Sequence, residues 1–329
     1  MHPFAVHPFV MTPAYRHGAD TPWGGVALRT LFGKQIPDDT TGESLEISAL
    51  PGLCSRDAQG RPLDELLRRG GTAMRGTRVG EPFPLLVKLI HARERLSVQV
   101  HPGDAYAAAH EGGKLGKTEA WVVLDAPAGA QLVYGIRPGI TREELARAAA
   151  RGREVENCLR WVPVSPGDAL FIPAGTVHAI GEGIVLYEIQ QSSDVTYRFW
   201  DWDRRDAQGK PRELHLKQAL EVADVSLRLE PCRGEPERAP GGTRARLIAD
   251  PAFMLERLEV GGAAPGMAPG MILEESPERF RLLTALCGGR ITFSGGVLAF
   301  KPGDSIFVPA SAGRITLACE GALLLAAPG

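Results

Sequence analysis

Apolar and polar residues alternate through "LSVQVH" (96–101). Leu96, Val98 and Val100 fall on one side, and Ser97, Gln99 and His101 on the other. Period-two alternation predicts a strand with one face in a core, here closed by Pro102-Gly103. Similar β-rich runs follow in "EAWVVLDA" (119–126), "ALFIPAG" (169–175), "GIVLYEIQQSS" (183–193) and "ITFSGGVLAF" (291–300). Pro-Gly, Gly-Gly and Asp-Gly breakers separate them. Helical spacing is confined to 61–70, 141–152 and 211–223, the second opening with a Thr-x-x-Glu capping box. The chain is therefore predicted to be mainly β with a few helices. The polar face of 96–101 has two readings: a solvated strand face, or the lumen of a barrel where polar groups converge.

At 329 residues the chain has length for two domains. The segment "EPCRGEPERAPGGTRAR" (230–246) is rich in Pro, Gly and charge without periodicity and reads as a linker or exposed loop. The expected division is 1–228, a linker or loop over 229–245, and a second unit over 246–329. A net charge of -2 gives no reason to expect nucleic acid or an anionic membrane as partner. No apolar run approaches the roughly 18 residues of a membrane helix, and the N-terminal stretch lacks the n- and h-regions of a secretory signal. The five cysteines are scattered with no C-x-x-C pair, which fits reduced thiols in a cytoplasmic protein.

An internal echo refines the picture. "PGDALFIPAGTVHAI" begins at Pro166 and "PGDSIFVPASAGRIT" at Pro302, a constant offset of 136. Each copy reads turn, strand, turn, strand, with Pro-Gly-Asp entering the strand and Pro173 or Pro309 ending it. The hairpin resembles the second motif of the cupin family. That resemblance implies two cupin-like (jelly-roll) β-barrel units, with the helices inserted in or packed on the first. The copies differ where His178 in the first corresponds to Arg314 in the second, so a metal would belong to the first unit.

Gln99, His101, Glu119 and His178 are the candidate metal donors. Two imidazoles, a carboxylate and an amide oxygen suit a borderline divalent cation, zinc first. Taken singly, each histidine also reads as a surface or satisfied core residue.

Longer stretches carry a more specific resemblance. "FPLLVKLIHARERLSVQVHPGDAYA", "GKTEAWVVLDAPAGAQLVYGI", "SPGDALFIPAGTVHAIGEGIVLYEIQQSSDVTYRFWDWDR" and the early "TPAY…PWGGVALRTLFGK…DDTTGESLEIS" together resemble the zinc-dependent type I family of mannose-6-phosphate isomerases, short bacterial form. The resemblance covers about 1–225 in collinear order. It implies an aldose–ketose isomerase acting on a small phosphorylated hexose, with one Zn2+ per chain held by Gln99, His101, Glu119 and His178. It also implies that Arg198, in "SSDVTYR", is an active-site arginine, and that Lys88 and Ser97 handle the phosphate. "RHGADTP", before "WGG", is a short insertion that leaves the pairing of the N-terminal strand open.

The residues suit such chemistry. Moving a proton between C1 and C2 through a cis-enediolate builds negative charge on oxygen, which a Lewis acid and a cation offset in a water-poor pocket. Zinc and Arg198 fit those roles. Arg198 is expected to share a face with Thr196 and Trp200; its alternative is a rim ion pair with Asp201 or Asp203. Lys117, two positions before Glu119, reads as acid, base or phosphate contact. A non-catalytic sugar-binding or regulatory metal cupin would keep the barrel but not need Arg198, Lys117 and the full ligand set together. An Fe(II) cupin oxygenase would carry H-x-H where this chain has "QVH".

Overall fold

The computed structural model describes residues 6–206, 208–261 and 270–329. Four antiparallel sheets dominate it. A six-stranded sheet runs in the order Ala14–Arg16, Glu43–Ile47, Leu85–Ala92, Ile184–Gln191, Glu119–Asp125, Ala169–Ile172. A five-stranded sheet runs Tyr197–Trp200, Val98–Val100, His178–Ala179, Gln131–Ile136, Leu159–Pro163. The remaining strands form a seven-stranded sheet and a four-stranded sheet, built almost wholly from residues beyond 235.

Strand alternation explains how these layers stack. On Leu85–Ala92, Val87 and Leu89 belong to one core cluster and Ile90 to another. The first cluster joins the six-stranded sheet to Phe253, Leu255, Leu282, Phe307 and Leu324 of the seven-stranded sheet. The second joins it to Leu132, Tyr134 and Val162 of the five-stranded sheet. The six-stranded sheet is therefore buried on both faces, and its strands read as near-continuous apolar runs. Where a polar residue interrupts such a run, it points into a core. The outer face of the five-stranded sheet is covered by helices, with Leu145 and Ala219 packing on Val98, Val100 and Phe199.

Each predicted helix is present. Leu63–Arg75 packs Leu63, Leu66, Leu67 and Met74 into the shared core, Arg142–Ala149 starts at the Thr141–Glu144 capping box, and Leu216–Val222 falls inside 211–223. The short helices Ala27–Phe32 and Asp104–His110 are additional.

The structure differs from the sequence reading at two places and answers a question left open at a third. Within 229–245, Pro236–Ala239 is an edge strand paired with Gly242–Ala249, so this segment is no free linker. An edge position tolerates Pro236, whose missing N–H costs no ladder bond on the open side. Near the insertion, Ala14–Arg16 pairs with Glu43–Ile47, whereas Phe9–Val10 crosses to pair with Ser305–Val308. The N-terminus thus joins the sheet made by the C-terminal residues. Finally, the ladder slips between Arg198 and Trp200. A bulge re-aims the side chain beyond it, so Trp200 packs with Tyr197 and Phe199 and does not share the face of Arg198.

Candidate active site

The polar face of 96–101 looks inward, between the six- and five-stranded sheets. Ser97 and His101 are buried. Gln99 stands opposite His178 on one neighbouring strand and opposite Arg198 on the other. Glu119 enters from the facing sheet, at the start of its strand.

His101, Glu119 and His178 are all buried, and one donor atom from each lies within 4.8 Å of the others. His178 Nε2 is 3.3 Å from Glu119 Oε1, and His101 Nε2 is 3.6 Å from Oε2. The Gln99 carboxamide is 3.3 Å from His178 Nε2. His178 Nδ1 lies 2.9 Å from the Thr176 carbonyl, so it carries the proton and leaves the Nε2 lone pair facing the cluster. Burial holds His178 down to about 4 and His101 well below its ordinary value, in each case helped by the Lys117 charge. Both rings are therefore neutral at pH 7, the form that binds metals. Burial pushes Glu119 up to about 7 against the pull of Lys117, and its buried Oε1 accepts no hydrogen bond. Two neutral imidazoles around an unsatisfied buried carboxylate fit a divalent cation. Lys117 Nζ supplies positive charge to the same donors, 3.0 Å from His101 Nε2 and 3.2 Å from Glu119 Oε2.

A cavity of about 250 Å³ opens beside this cluster, lined among others by Gln99, Lys117, Ser97, Arg198, Lys88 and Glu188. Arg198 donates from Nε to Ser97 Oγ at 3.2 Å and from Nη1 to the Glu213 carbonyl at 2.8 Å. The rim ion pair with Asp201 or Asp203 is not what holds it. Asp201 is taken by Arg204 at 2.8 Å and Arg212 at 3.7 Å. Lys88 lies between Glu188 at 2.9 Å and Glu43 at 3.6 Å. Burial opposes its charge, but the two carboxylates outweigh that and raise its pKa. Glu188 also accepts from the Trp121 indole at 2.9 Å; burial alone would raise its pKa, yet Lys88 and Lys117 hold it below its usual range.

Glu188, Glu43, Arg16 and Arg212 line the cavity without having been picked out in the sequence. Glu188 had a legible signal. In "IVLYEIQQ", Glu188 and Gln190 share a period-two face inside an otherwise apolar strand, an arrangement a core refuses unless the groups are paired. Arg16 and Arg212 had none, because they reach the cavity from separate loops and an edge strand.

Antiparallel sheets packed face to face, with a buried His–Glu–His cluster that fits a metal beside a charged cavity, define a cupin-like protein. Comparison with known proteins makes this specific. Residues 12–116 match the family model "Phosphomannose isomerase type I, catalytic domain". The mannose-6-phosphate isomerase of Streptococcus mutans is 38% identical over 294 residues, covering 87% of this chain and 88% of that protein. The crystal structure of the mannose 6-phosphate isomerase from Bacillus subtilis superposes with a TM-score of 0.88 at 32% identity, covering 97% of this chain and 99% of that one. A mannose 6-phosphate isomerase bound with zinc and yttrium shares the fold, with a TM-score of 0.77 at 17% identity over 97% and 98% of the two chains. The chain belongs to the type I mannose-6-phosphate isomerase family.

Among the described residues no helix is long and apolar enough to cross a membrane.

Proposed function

We propose that the protein interconverts D-mannose 6-phosphate and D-fructose 6-phosphate in the cytoplasm, using one zinc ion per chain. The carrying observation is the buried His101–Glu119–His178 cluster beside a cavity in which Arg198 has no carboxylate partner within ion-pair distance among the described residues. His101, Glu119 and His178, with Gln99 as fourth donor, would hold the zinc, which would supply a Lewis acid to the sugar's carbonyl and hydroxyl oxygens. The chain's own residues do the rest. The proton on C2 leaves, and its electron pair forms the C1–C2 double bond as the C1 carbonyl pair moves onto O1, giving a cis-enediolate. The O2 proton passes to O1, and C1 takes a proton as the carbonyl forms at C2. Arg198 offers a fixed cation to the charge that develops on oxygen. Lys117, in contact with two of the donors, is placed to hold or deliver a proton at the same oxygens.

Lys88 is already paired: it lies between Glu188 and Glu43, and Arg16 is 3.8 Å from Glu43, so these four side chains balance in charge and suit sugar hydroxyls better than a dianion. Ser97 and Arg212 are the better phosphate contacts: Arg212 Nη1 is buried without a hydrogen bond, its nearest carboxylate 3.7 Å away. Ser97 is two residues from Gln99 on one face, about 7 Å along a strand, which is the span from the reacting carbons of an extended hexose to its phosphate. The division of the chain into a catalytic cupin-like unit and a second one without metal is part of this reading.

The test is metal analysis of the purified protein together with a coupled assay of mannose 6-phosphate conversion. Zinc near one equivalent and turnover lost on chelation and restored by zinc support the reading. Zinc without turnover would favour a sugar-binding or regulatory protein.

A further inference from the structure

His101 follows a strand of the five-stranded sheet and Glu119 opens one of the six-stranded sheet, so their separation depends on what joins the two sheets at this point. From His101 the chain passes through Pro102-Gly103 and the helix Asp104–His110, then comes back as Gly116-Lys117-Thr118. The two ends of this excursion meet backbone to backbone. The Lys117 amide donates to the Pro102 carbonyl at 2.9 Å. A Cβ on Gly116 would lie 2.5 Å from the Asp104 amide nitrogen and 2.6 Å from the Gly103 carbonyl carbon. Any side chain at 116 would force the two segments apart.

Side chains complete the join. Asp104 Oδ1 accepts from the Gly116 amide at 2.7 Å and from Gln191 Nε2 at 3.0 Å. Gln191 Oε1 accepts from the Thr118 amide at 2.9 Å, and the Gln191 amide donates to the Thr118 carbonyl at 3.0 Å. Its neighbour Gln190 stands opposite Glu119 in the ladder. The bend that follows is held as well. Gln190 Nε2 donates to the Gln191 and Ser193 carbonyls at 2.7 and 2.8 Å, and Ser193 Oγ donates to the Leu115 carbonyl at 2.8 Å. Gln191 thus ties the residue before Glu119 to the residue three beyond His101, using one acceptor and one donor. A carboxamide offers both; an ionised glutamate has no donor, and methionine offers neither in comparable strength.

We propose that Gln191, acting through Asp104, is a positioning residue that sets the spacing of His101 and Glu119, and with it the zinc affinity of the cluster and the place of Lys117. The proposal rests on the metal-site reading above. Partners outside the ligand set commonly tune metal affinity by about tenfold to a hundredfold. Asp104, Thr118 and Gln191 line a cavity of about 370 Å³ together with Arg78 and Arg279. Asp104 is exposed, and Thr118 and Gln191 are half-buried. Groups freed by substitution there meet water, so the join can be cut at small cost to folding.

The experiment uses the full chain and compares zinc affinity, read by chelator competition, with steady-state kinetics and the melt of the metal-free protein. In Gln191→Met, zinc affinity should fall about tenfold to a hundredfold, while the metal-free melting temperature stays near wild type. With zinc saturating, kcat should fall and KM hold, because Lys117 shifts while Ser97 and Arg212 do not. Gln191→Glu keeps the acceptor for Thr118 but sets a second carboxylate against Asp104, and should weaken zinc binding similarly. Adding Asp104→Asn, which restores one amide to the pair, should recover most of that loss. Wild-type zinc affinity in Gln191→Met, or a loss in Gln191→Glu that Asp104→Asn does not recover, would overturn the proposal and leave the metal site standing. A metal-free melting temperature that falls in step with zinc affinity would make the role merely structural and would overturn it too. A wild-type chain that takes up no zinc would overturn both the proposal and the reading beneath it.

Discussion

Arg198→Ala separates an isomerase from a passive metal-binding barrel. The guanidinium makes two hydrogen bonds, to Ser97 Oγ and to the Glu213 carbonyl, and is half-buried. At about 0.5–1.5 kcal/mol net each, losing both costs on the order of 1–3 kcal/mol, well within what a chain with four apolar clusters tolerates. None of the three clustered donors rests on Arg198, so zinc content should stay near wild type. Turnover should not. Removing one preorganised donor from a developing oxyanion commonly costs about a hundredfold to a thousandfold, or roughly 2.7–4 kcal/mol. Because the interaction is strongest in the transition state, kcat and kcat/KM should fall together with little change in KM. The assay is steady-state conversion of mannose 6-phosphate, run beside metal analysis and a thermal melt of the same preparation. Near wild-type turnover would refute the role. A raised KM with kcat intact would instead make Arg198, through its contact with Ser97, a phosphate-binding residue.

Other outcomes follow from the same geometry. Arg212→Ala should raise KM for mannose 6-phosphate with kcat nearly unchanged, since phosphate binding is felt equally in ground and transition states; equal losses in kcat would contradict this assignment. Lys88→Met should destabilise the fold by about 3–5 kcal/mol in denaturant titration, because it removes the cation that Glu43 and Glu188 share in the core; a shift under 1 kcal/mol would contradict that account. Metal affinity should depend on pH in a definite direction. Glu119, raised to about 7, holds a proton below that pH in the metal-free protein, and zinc must displace it; the two histidines are already neutral there. Apparent affinity should then fall about tenfold per pH unit below about 7, measured by chelator competition, and a flat profile from pH 7.5 to 5.5 would count against it. Thr141→Ala removes the capping-box hydroxyl that accepts from the Glu144 amide and should cost about 0.5–2 kcal/mol with no effect on KM.

The chain by itself determined the local structure. Alternation in "LSVQVH" set which side of that strand is polar, the Thr-x-x-Glu box set where a helix begins, and the repeated Pro-Gly-Asp turn marked Ala169–Ile172 and Ser305–Val308 as strands. It also pointed to His101, Glu119 and His178, which sit in motifs long enough to carry a resemblance and which the structure brings together. Tertiary structure decided what the polar faces meet. Glu188, Arg16 and Arg212 come to the cavity from strands and loops far apart in the chain, and Lys88 reads as a free cation until the sheet sets Glu188 opposite it. The edge strand in 229–245 is likewise invisible locally, since a Pro- and charge-rich segment becomes a strand only when a neighbour offers its ladder.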